Sequence, residues 1–195
     1  MPIMSALESA FCRSAPWRGF ARRAVLPWAL HGRSLTGDVL EIGAGSGAMA
    51  VGAVTAFPGT RFTVTDVDEA MVRATAARLE GHPKVTVRRA DVGALPFPAA
   101  SFDVVTSYLM LHHVVSWESA LDELRRVLRP GGLLLGYDLT DTALARVVHR
   151  WDGSPHRLIR AADLRRALLG ASFDEIEIEL SAAGHLMRFG AHAVS

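Results

Sequence analysis

The segment Glu41-Ile42-Gly43-Ala44-Gly45-Ser46-Gly47 sets three glycines at alternate positions directly after the apolar pair Val39-Leu40. Without a Cβ at these positions a ligand can lie against bare backbone, and glycine tolerates the sharp turn that carries a strand into a helix. Both uses suit a nucleoside. Extended to Ala48, the same stretch also satisfies the dinucleotide-binding pattern, so the loop alone leaves two cofactor classes open. Asp66 stands 23 residues after Gly43, where a carboxylate at the end of the next strand can accept both hydroxyls of a ribose. Asp68 and Glu69 fit better as the start of the following helix, whose dipole favours acids there. Asp91, in Arg89-Ala90-Asp91-Val92, puts a further acid at the same sheet edge. Adenine fits there, its amino group donating to Asp91 and its faces covered by Val67 and Val92. His112 and His113 add two imidazoles, which titrate near neutrality and can take a proton from a reacting group.

These residues need a scaffold, and the apolar periodicity supplies one. Asp38 to Ile42, Arg61 to Thr65, Lys84 to Arg89, Phe102 to Ser107 and Leu133 to Tyr137 read as five strands. Between them lie helical patterns: Ser46 to Phe57, stopped by Pro58-Gly59, a stripe of Ala70, Met71, Ala74 and Leu79, and a stripe of Leu121, Leu124, Val127 and Leu128 that Pro130-Gly131-Gly132 ends. Ala143 to Trp151 and Ala161 to Ala171 read as further helices. Phe173 to Leu180 alternates in period two and is followed, across Ala183-Gly184, by His185 to Val194, which together read as an antiparallel hairpin. The expected fold is α/β: a doubly wound, mostly parallel seven-stranded sheet with a C-terminal antiparallel hairpin and helices on both faces. It is read as a single domain over residues 1–195, with a helical extension at 1–37 and the α/β core at 38–195.

Composition narrows the chemistry. A formal net charge of +1 over 195 residues provides no general field to hold a polyanion, so nucleic acid is not an expected partner. The single cysteine, Cys12, cannot form an internal disulfide, and no spaced Cys/His set marks a metal site. A reducing cytoplasmic compartment is the expectation, with no signal peptide and no apolar run of about 18 to 20 residues to span a membrane. Residues 11–33 combine Phe11, Trp17, Phe20 and Trp28 with Arg13, Arg18, Arg22, Arg23 and Arg33, a composition shared with helices that lie on membranes. Pro16 and Pro27 interrupt the periodicity such a helix needs, so packing on the domain is the favoured reading over peripheral membrane contact.

The succession of motifs is more specific than any one of them. Val39 to Gly47, Val64-Thr65-Asp66, Ala90-Asp91 with Leu95-Pro96-Phe97, Ser101-Phe102-Asp103-Val104-Val105, Leu111-His112-His113-Val114 and Arg126-Val127-Leu128-Arg129-Pro130-Gly131-Gly132 resemble the class I S-adenosylmethionine-dependent methyltransferases, in order and in spacing. The resemblance implies S-adenosyl-L-methionine as the cofactor. It implies that Gly43, Ala44 and Gly45 line the methionine portion with Glu41 orienting that end, and that Asp66 holds the ribose. Val67, Asp91 and Val92 would surround adenine, and Ser107 and Tyr108 would meet the methionyl end beside the transferred methyl. Phe102, Asp103, Arg129, Pro130 and Gly131 are similar to scaffold positions of the family.

The Leu111-His112-His113 form of its motif resembles the branch that methylates small molecules, and Ser107-Tyr108-Leu109 lacks the Pro-Pro-aromatic signature of many enzymes acting on nucleic-acid bases or glutamine. The expected function is methyl transfer to a small, hydrophobic or aromatic acceptor at oxygen or carbon, with His113 as the base where the acceptor must lose a proton. Trp17, Trp28, Tyr108, Trp117, Tyr137 and Trp151 are candidates to line an apolar acceptor site. The alternative is a non-catalytic cofactor-binding or scaffolding subunit with the same fold. A nicotinamide-dependent oxidoreductase ranks last, because it accounts for none of the motifs after Asp91.

Overall fold

A computed structural model describes residues 15–152 and 156–195. The sheet has the order β3-β2-β1-β4-β5-β7-β6, from β1 (Asp38–Ile42), β2 (Arg61–Asp66), β3 (Val85–Arg89), β4 (Phe102–Tyr108), β5 (Leu128–Leu139), β6 (Phe173–Leu180) and β7 (Leu186–Ala193). Strands β1 to β5 are mutually parallel and β7 runs antiparallel to both β5 and β6. The strand order turns back on itself between β1 and β4, which is where open α/β sheets leave a crevice at their carboxyl ends.

Alternation along the strands divides the core in two. Leu40, Ile42 and Val105 join one apolar cluster with α5 (Trp117–Val127), α7 (Ala161–Gly170) and the terminal hairpin. Val39, Val104, Tyr108, Leu135 and Tyr137 join the other, with α3 (Ala48–Ala56) and the N-terminal helices. Helix α5 shows its reason plainly: Trp117, Ala120, Leu121, Leu124 and Val127 recur at helical spacing and all are buried. Helix α4 (Glu69–Arg78) starts on Asp68, whose carboxylate accepts from the Ala70 N–H at 2.8 Å, the capping role expected for this acid. Helix α6 (Ala143–Asp152) follows β5.

Helix α3 is apolar nearly all round, with Ala48, Met49, Ala50, Gly52, Ala53 and Val54 buried, so its outer side needs a cover. The N-terminal region supplies it. Residues 15–30 run as α1 (Ala15–Phe20), a π-helical turn (Ala21–Val25) and α2 (Leu26–Leu30), a helical path unbroken by the prolines that were expected to interrupt its periodicity. The Leu26 N–H donates five residues back, to the Ala21 carbonyl. That widened turn sits directly ahead of Pro27 and relieves the clash a proline ring makes with the carbonyl four residues before it. A Cβ on Gly52 would stand 2.8 Å from Arg22 Cγ and 2.9 Å from Leu26 Cδ2, so glycine sets how closely these helices approach.

Among the boundaries that differ from the sequence reading are those of β4 and β5. Strand β4 continues to Tyr108, and β5 begins at Leu128, before the Pro130-Gly131-Gly132 turn expected to precede it. Leu128 already pairs with Phe102, and the register then shifts so that Val104 meets Leu133. Arg129 to Gly132 therefore form an irregularity inside one strand. At this amino end of the sheet Arg129 bridges Asp103 at 2.7 Å and Asp38 at 3.1 Å, while Asp103 accepts the Asp38 N–H at 2.7 Å. The period-two run of β6 is broken by a bulge at Glu175, which has φ 46°. Among the described residues no helix is long and apolar enough to cross a membrane, and no group of His, Cys, Asp and Glu is placed to hold a metal ion.

Candidate active site

The glycine loop lies where β1 ends, beside the carboxyl end of β4, with Ile42 paired to Ser107. All three glycines have left-handed φ, 59° at Gly43, 54° at Gly45 and 76° at Gly47, a region where a side chain is strained. Their surroundings differ. A Cβ on Gly43 would fall 2.0 Å from Met110 Cγ, and one on Gly47 would fall 2.8 Å from Thr75 Cγ2 and Oγ1, whereas one on Gly45 would meet nothing within 4 Å. The middle glycine therefore turns its bare Cα toward open space, as a backbone that receives a ligand must. Buried Thr75 holds the loop from α4, its hydroxyl donating to the Gly45 carbonyl at 3.0 Å, and the Ala44 N–H donates to the Thr65 carbonyl at 2.9 Å.

Asp66 closes the loop from the next strand. Its Oδ2 accepts the Gly45 N–H at 2.7 Å and its Oδ1 accepts the Asp68 N–H at 2.9 Å. Burial pushes its carboxyl above the usual aspartate range, against the backbone donors that favour the charged form. Val67 is half-buried beside it. Asp91 follows β3, its Oδ1 accepting the Gly93 N–H at 2.8 Å, while Val92 is buried in the core cluster under β1 and β4.

Among the described residues, three buried side-chain oxygens at the carboxyl ends of β1 and β4 make no well-formed hydrogen bond: Glu41 Oε2, Ser107 Oγ and Tyr108 Oη, the last with the Thr106 side chain close enough to favour its charged form. Unpaired buried polar atoms are costly and uncommon, so each of these oxygens is a candidate to meet a ligand. Glu41 is 1% exposed; burial raises its carboxyl to about 8, opposed by the Ala50 backbone N–H that bonds to it at the start of α3. The Tyr108 hydroxyl is raised well above the usual tyrosine range by burial first and by nearby Glu41 second. Ser107 and Tyr108, being consecutive in a strand, point to opposite faces of the sheet. Glu41 and Tyr108 share the face covered by the N-terminal helices, where Tyr108 lies 6.0 Å from Tyr137 and Tyr137 packs edge-on against Trp28 at 5.7 Å.

Beyond Tyr108 the chain makes a short 3₁₀ turn, Leu111–His113. His113 is half-buried, and His112 beneath it is buried, their ring centroids 4.0 Å apart. His112 Nδ1 and Asp138 Oδ1 on β5 share a hydrogen bond of 2.5 Å. Sequence reasoning missed Asp138, Thr75 and Met110, since each reaches the site from 26 or more residues away from its partner in the chain or as an ordinary packing residue. Among the six aromatic candidates for an acceptor wall, Trp117 and Tyr137 are each only 2% exposed and belong to the core. The side chains of Trp17 and Trp151 lie outside the described residues.

Residues 40–136 match the family model of the methyltransferase domain. The chain belongs to the class I S-adenosylmethionine-dependent methyltransferases. It is 35% identical over 144 residues, 66% of this chain and 55% of the relative, to a demethylmenaquinone methyltransferase of Clavibacter sepedonicus. It is 38% identical over 99 residues to a ubiquinone/menaquinone biosynthesis C-methyltransferase of Cupriavidus taiwanensis, covering 50% of this chain and 41% of that one. The chain thus spans about half the length of the relatives it matches. Among solved structures, a Haloferax volcanii methyltransferase in complex with the Trm112 methyltransferase activator superposes with a TM-score of 0.81 at 17% identity, over 99% of this chain and 100% of that one. A Haemonchus contortus phosphoethanolamine N-methyltransferase, solved with phosphomonomethylethanolamine and S-adenosylhomocysteine, gives 0.74 at 18% identity over 89% of this chain and 52% of that one. At such identities these likenesses concern the fold. The cofactor of the family is S-adenosylmethionine, and the open face of Gly45 with the unpaired buried oxygens at the ends of β1 and β4 fits a zwitterionic nucleoside ligand.

Proposed function

We propose that this chain transfers the methyl group of S-adenosylmethionine to a small, hydrophobic or aromatic acceptor, at carbon or oxygen. The observation that carries this reading is the set of unpaired buried oxygens of Glu41, Ser107 and Tyr108 around the bare backbone of the glycine loop. In this reading Glu41, Gly43, Ala44 and Gly45, with Ser107 and Tyr108, take the methionyl portion, Asp66 takes the ribose, and Val67, Asp91 and Val92 take adenine. The names of the relatives, which concern quinone precursors, favour an aromatic carbon as the atom methylated.

When bound, the sulfonium supplies a methyl carbon open to in-line attack, with the electron pair of the broken C–S bond left on sulfur. The chain's part is to align the nucleophile at about 3 to 3.5 Å, to exclude water and to receive the proton the acceptor gives up. His113 is the base in this reading, on a turn just past the end of β4. In this reading the chain, 1–195, acts as one domain, with a 1–37 extension of which residues 15–30 cover α3.

The test incubates the purified protein with S-adenosylmethionine and a panel of hydroquinones and phenols, 1,4-naphthohydroquinone among them, and seeks the methylated product by mass spectrometry. Product with at least one acceptor, lost in His113→Gln while S-adenosylhomocysteine still binds, is the expected result. Tight S-adenosylhomocysteine binding with no product across the panel would instead favour a non-catalytic subunit.

A further inference from the structure

Asp138 is a fully buried carboxylate on the strand that borders the acceptor side of the crevice. Among the described residues it has no arginine or lysine partner. Its Oδ1 accepts the His112 ring N–H at 2.5 Å and the Leu139 N–H at 2.7 Å, and its Oδ2 accepts the His112 backbone N–H at 3.3 Å. Both ends of His112 are thereby tied to β5. The His112 carbonyl is held in turn by the Arg157 N–H at 2.7 Å.

Fixing the turn does not require a charge. An asparagine whose side-chain oxygen takes the place of Oδ1 still accepts the His112 ring N–H and the Leu139 N–H and gives up only the 3.3 Å bond from the His112 backbone N–H, and its burial is less unfavourable than that of a carboxylate. What the carboxylate adds is electrostatic. It holds the ring proton of His112 on Nδ1, which settles the tautomer, and it places a negative charge one ring away from His113, whose ring packs at a 39° tilt on that of His112 with centroids 4.0 Å apart. An imidazole that gains a proton beside a low-dielectric core is favoured by such a charge.

We infer that Asp138 and His112 are positioning residues for His113: the carboxylate fixes the tautomer of His112, and through the stacked pair it raises the readiness of His113 to hold a proton. This rests on the proposed role of His113 as base. The other charged and titratable groups facing the turn are Arg157 and Glu118, paired with each other at 2.6 and 2.7 Å on its outer side, and His156, next to Arg157 in the chain. The mutual pairing of Arg157 and Glu118 makes them a near-neutral background, unlike the single charge of Asp138.

The test is nitrogen-15 NMR of the histidine rings in the full chain saturated with S-adenosylhomocysteine. The wild-type spectrum is expected to show His112 as the Nδ1–H tautomer, and Asp138→Asn is expected to lower the titration midpoint of His113 by about half a pH unit or more. His112 as the Nε2–H tautomer in the wild type would overturn the inference, and that measurement needs no variant to fold. An unchanged His113 midpoint in a folded Asp138→Asn protein would overturn it as well. Failure of the base reading is separate: it would appear as full methylation by His113→Gln, whatever the ring spectra show.

Discussion

Glu41→Gln tests the charge balance of the cofactor site. Glu41 is buried against the start of α3 with one oxygen unpaired, and its folded-state carboxyl is raised from 4.5 to about 8. A carboxyl raised on folding binds its proton more tightly in the native state, so the stability it lends is complete below pH 4.5 and is lost as pH rises toward 8. At about 1.4 kcal/mol per unit, linkage over this window makes the cofactor-free protein about 2 to 3 kcal/mol less stable at pH 7 than at pH 5 through Glu41 alone. The glutamine introduced by the substitution does not titrate, and its amide leaves a buried donor unpaired at a penalty of about 1 to 3 kcal/mol. Urea denaturation at several pH values from about 5 to 8.5 should therefore show a lower stability for the variant in acid, a shallower fall with pH, and near equality or reversal at the alkaline end. Calorimetry adds the ligand's side of the linkage. An ammonium group placed beside Glu41 favours its charged form, so S-adenosylhomocysteine binding at pH 7 should release a proton in the wild type that Glu41→Gln does not release. Parallel pH dependences of stability in the two proteins would refute the reasoning.

Asp66→Ala removes the carboxylate that accepts the Gly45 and Asp68 N–H groups and is proposed to receive the ribose; charge-assisted bonds of about 1.5 to 3 kcal/mol predict a loss of S-adenosylhomocysteine affinity of about tenfold to a hundredfold by calorimetry. Unchanged affinity would remove Asp66 from the site. Gly43→Ala and Gly45→Ala share the strain of positive φ but differ in space: the first drives a methyl into Met110, and the second projects it into the opening. Thermal unfolding should show the larger loss of melting temperature for Gly43→Ala, and calorimetry should show Gly45→Ala weakening the ligand while the fold is largely kept; equal behaviour would contradict the assigned geometry. Leu124→Ala, at a fully buried position of α5, should destabilise the domain by about 2 to 5 kcal/mol in urea without changing the residual affinity of the folded protein for S-adenosylhomocysteine.

The parts of this molecule legible in the sequence are those governed by local rules. Glycine spacing marked the turn after β1, the stripe Leu121, Leu124 and Val127 marked α5, and Asp68 marked the start of α4, because each depends on neighbours within one or two helical turns. The course of the N-terminal helices was obscured by Pro16 and Pro27. A proline removes one bond of an α-helical ladder, but the π turn at Ala21–Val25 changes the ladder itself, and local rules assume it fixed. The start of β5 was hidden for a related reason: Leu128 joins the sheet by pairing with Phe102, a contact that no pattern within Arg129-Pro130-Gly131-Gly132 discloses. Asp138 is the plainest case. In sequence it is an acid at the end of an apolar strand, and only the superposition of β5 on the turn after β4 brings it to His112, 26 residues earlier.

In the proposed function, strand parity keeps cofactor recognition and proton transfer on opposite faces of the sheet. Ser107 and Tyr108 end β4 on opposite faces, and the groups near them divide accordingly. Tyr108 shares its face with Glu41, Tyr137 and the N-terminal helices, an environment that raises carboxyl and phenol alike and so suits recognition of a cationic group. Asp138, next to Tyr137 on β5, belongs to the other face and acts on the turn that carries His112 and His113. In the proposed function a buried carboxyl group on each side of one sheet serves a different proton: Glu41 would respond to the charge of the cofactor, and Asp138 to the proton taken from the acceptor. Had both acids stood on one face, each would have shifted the other's titration, and cofactor binding would have changed the basicity of the histidine turn.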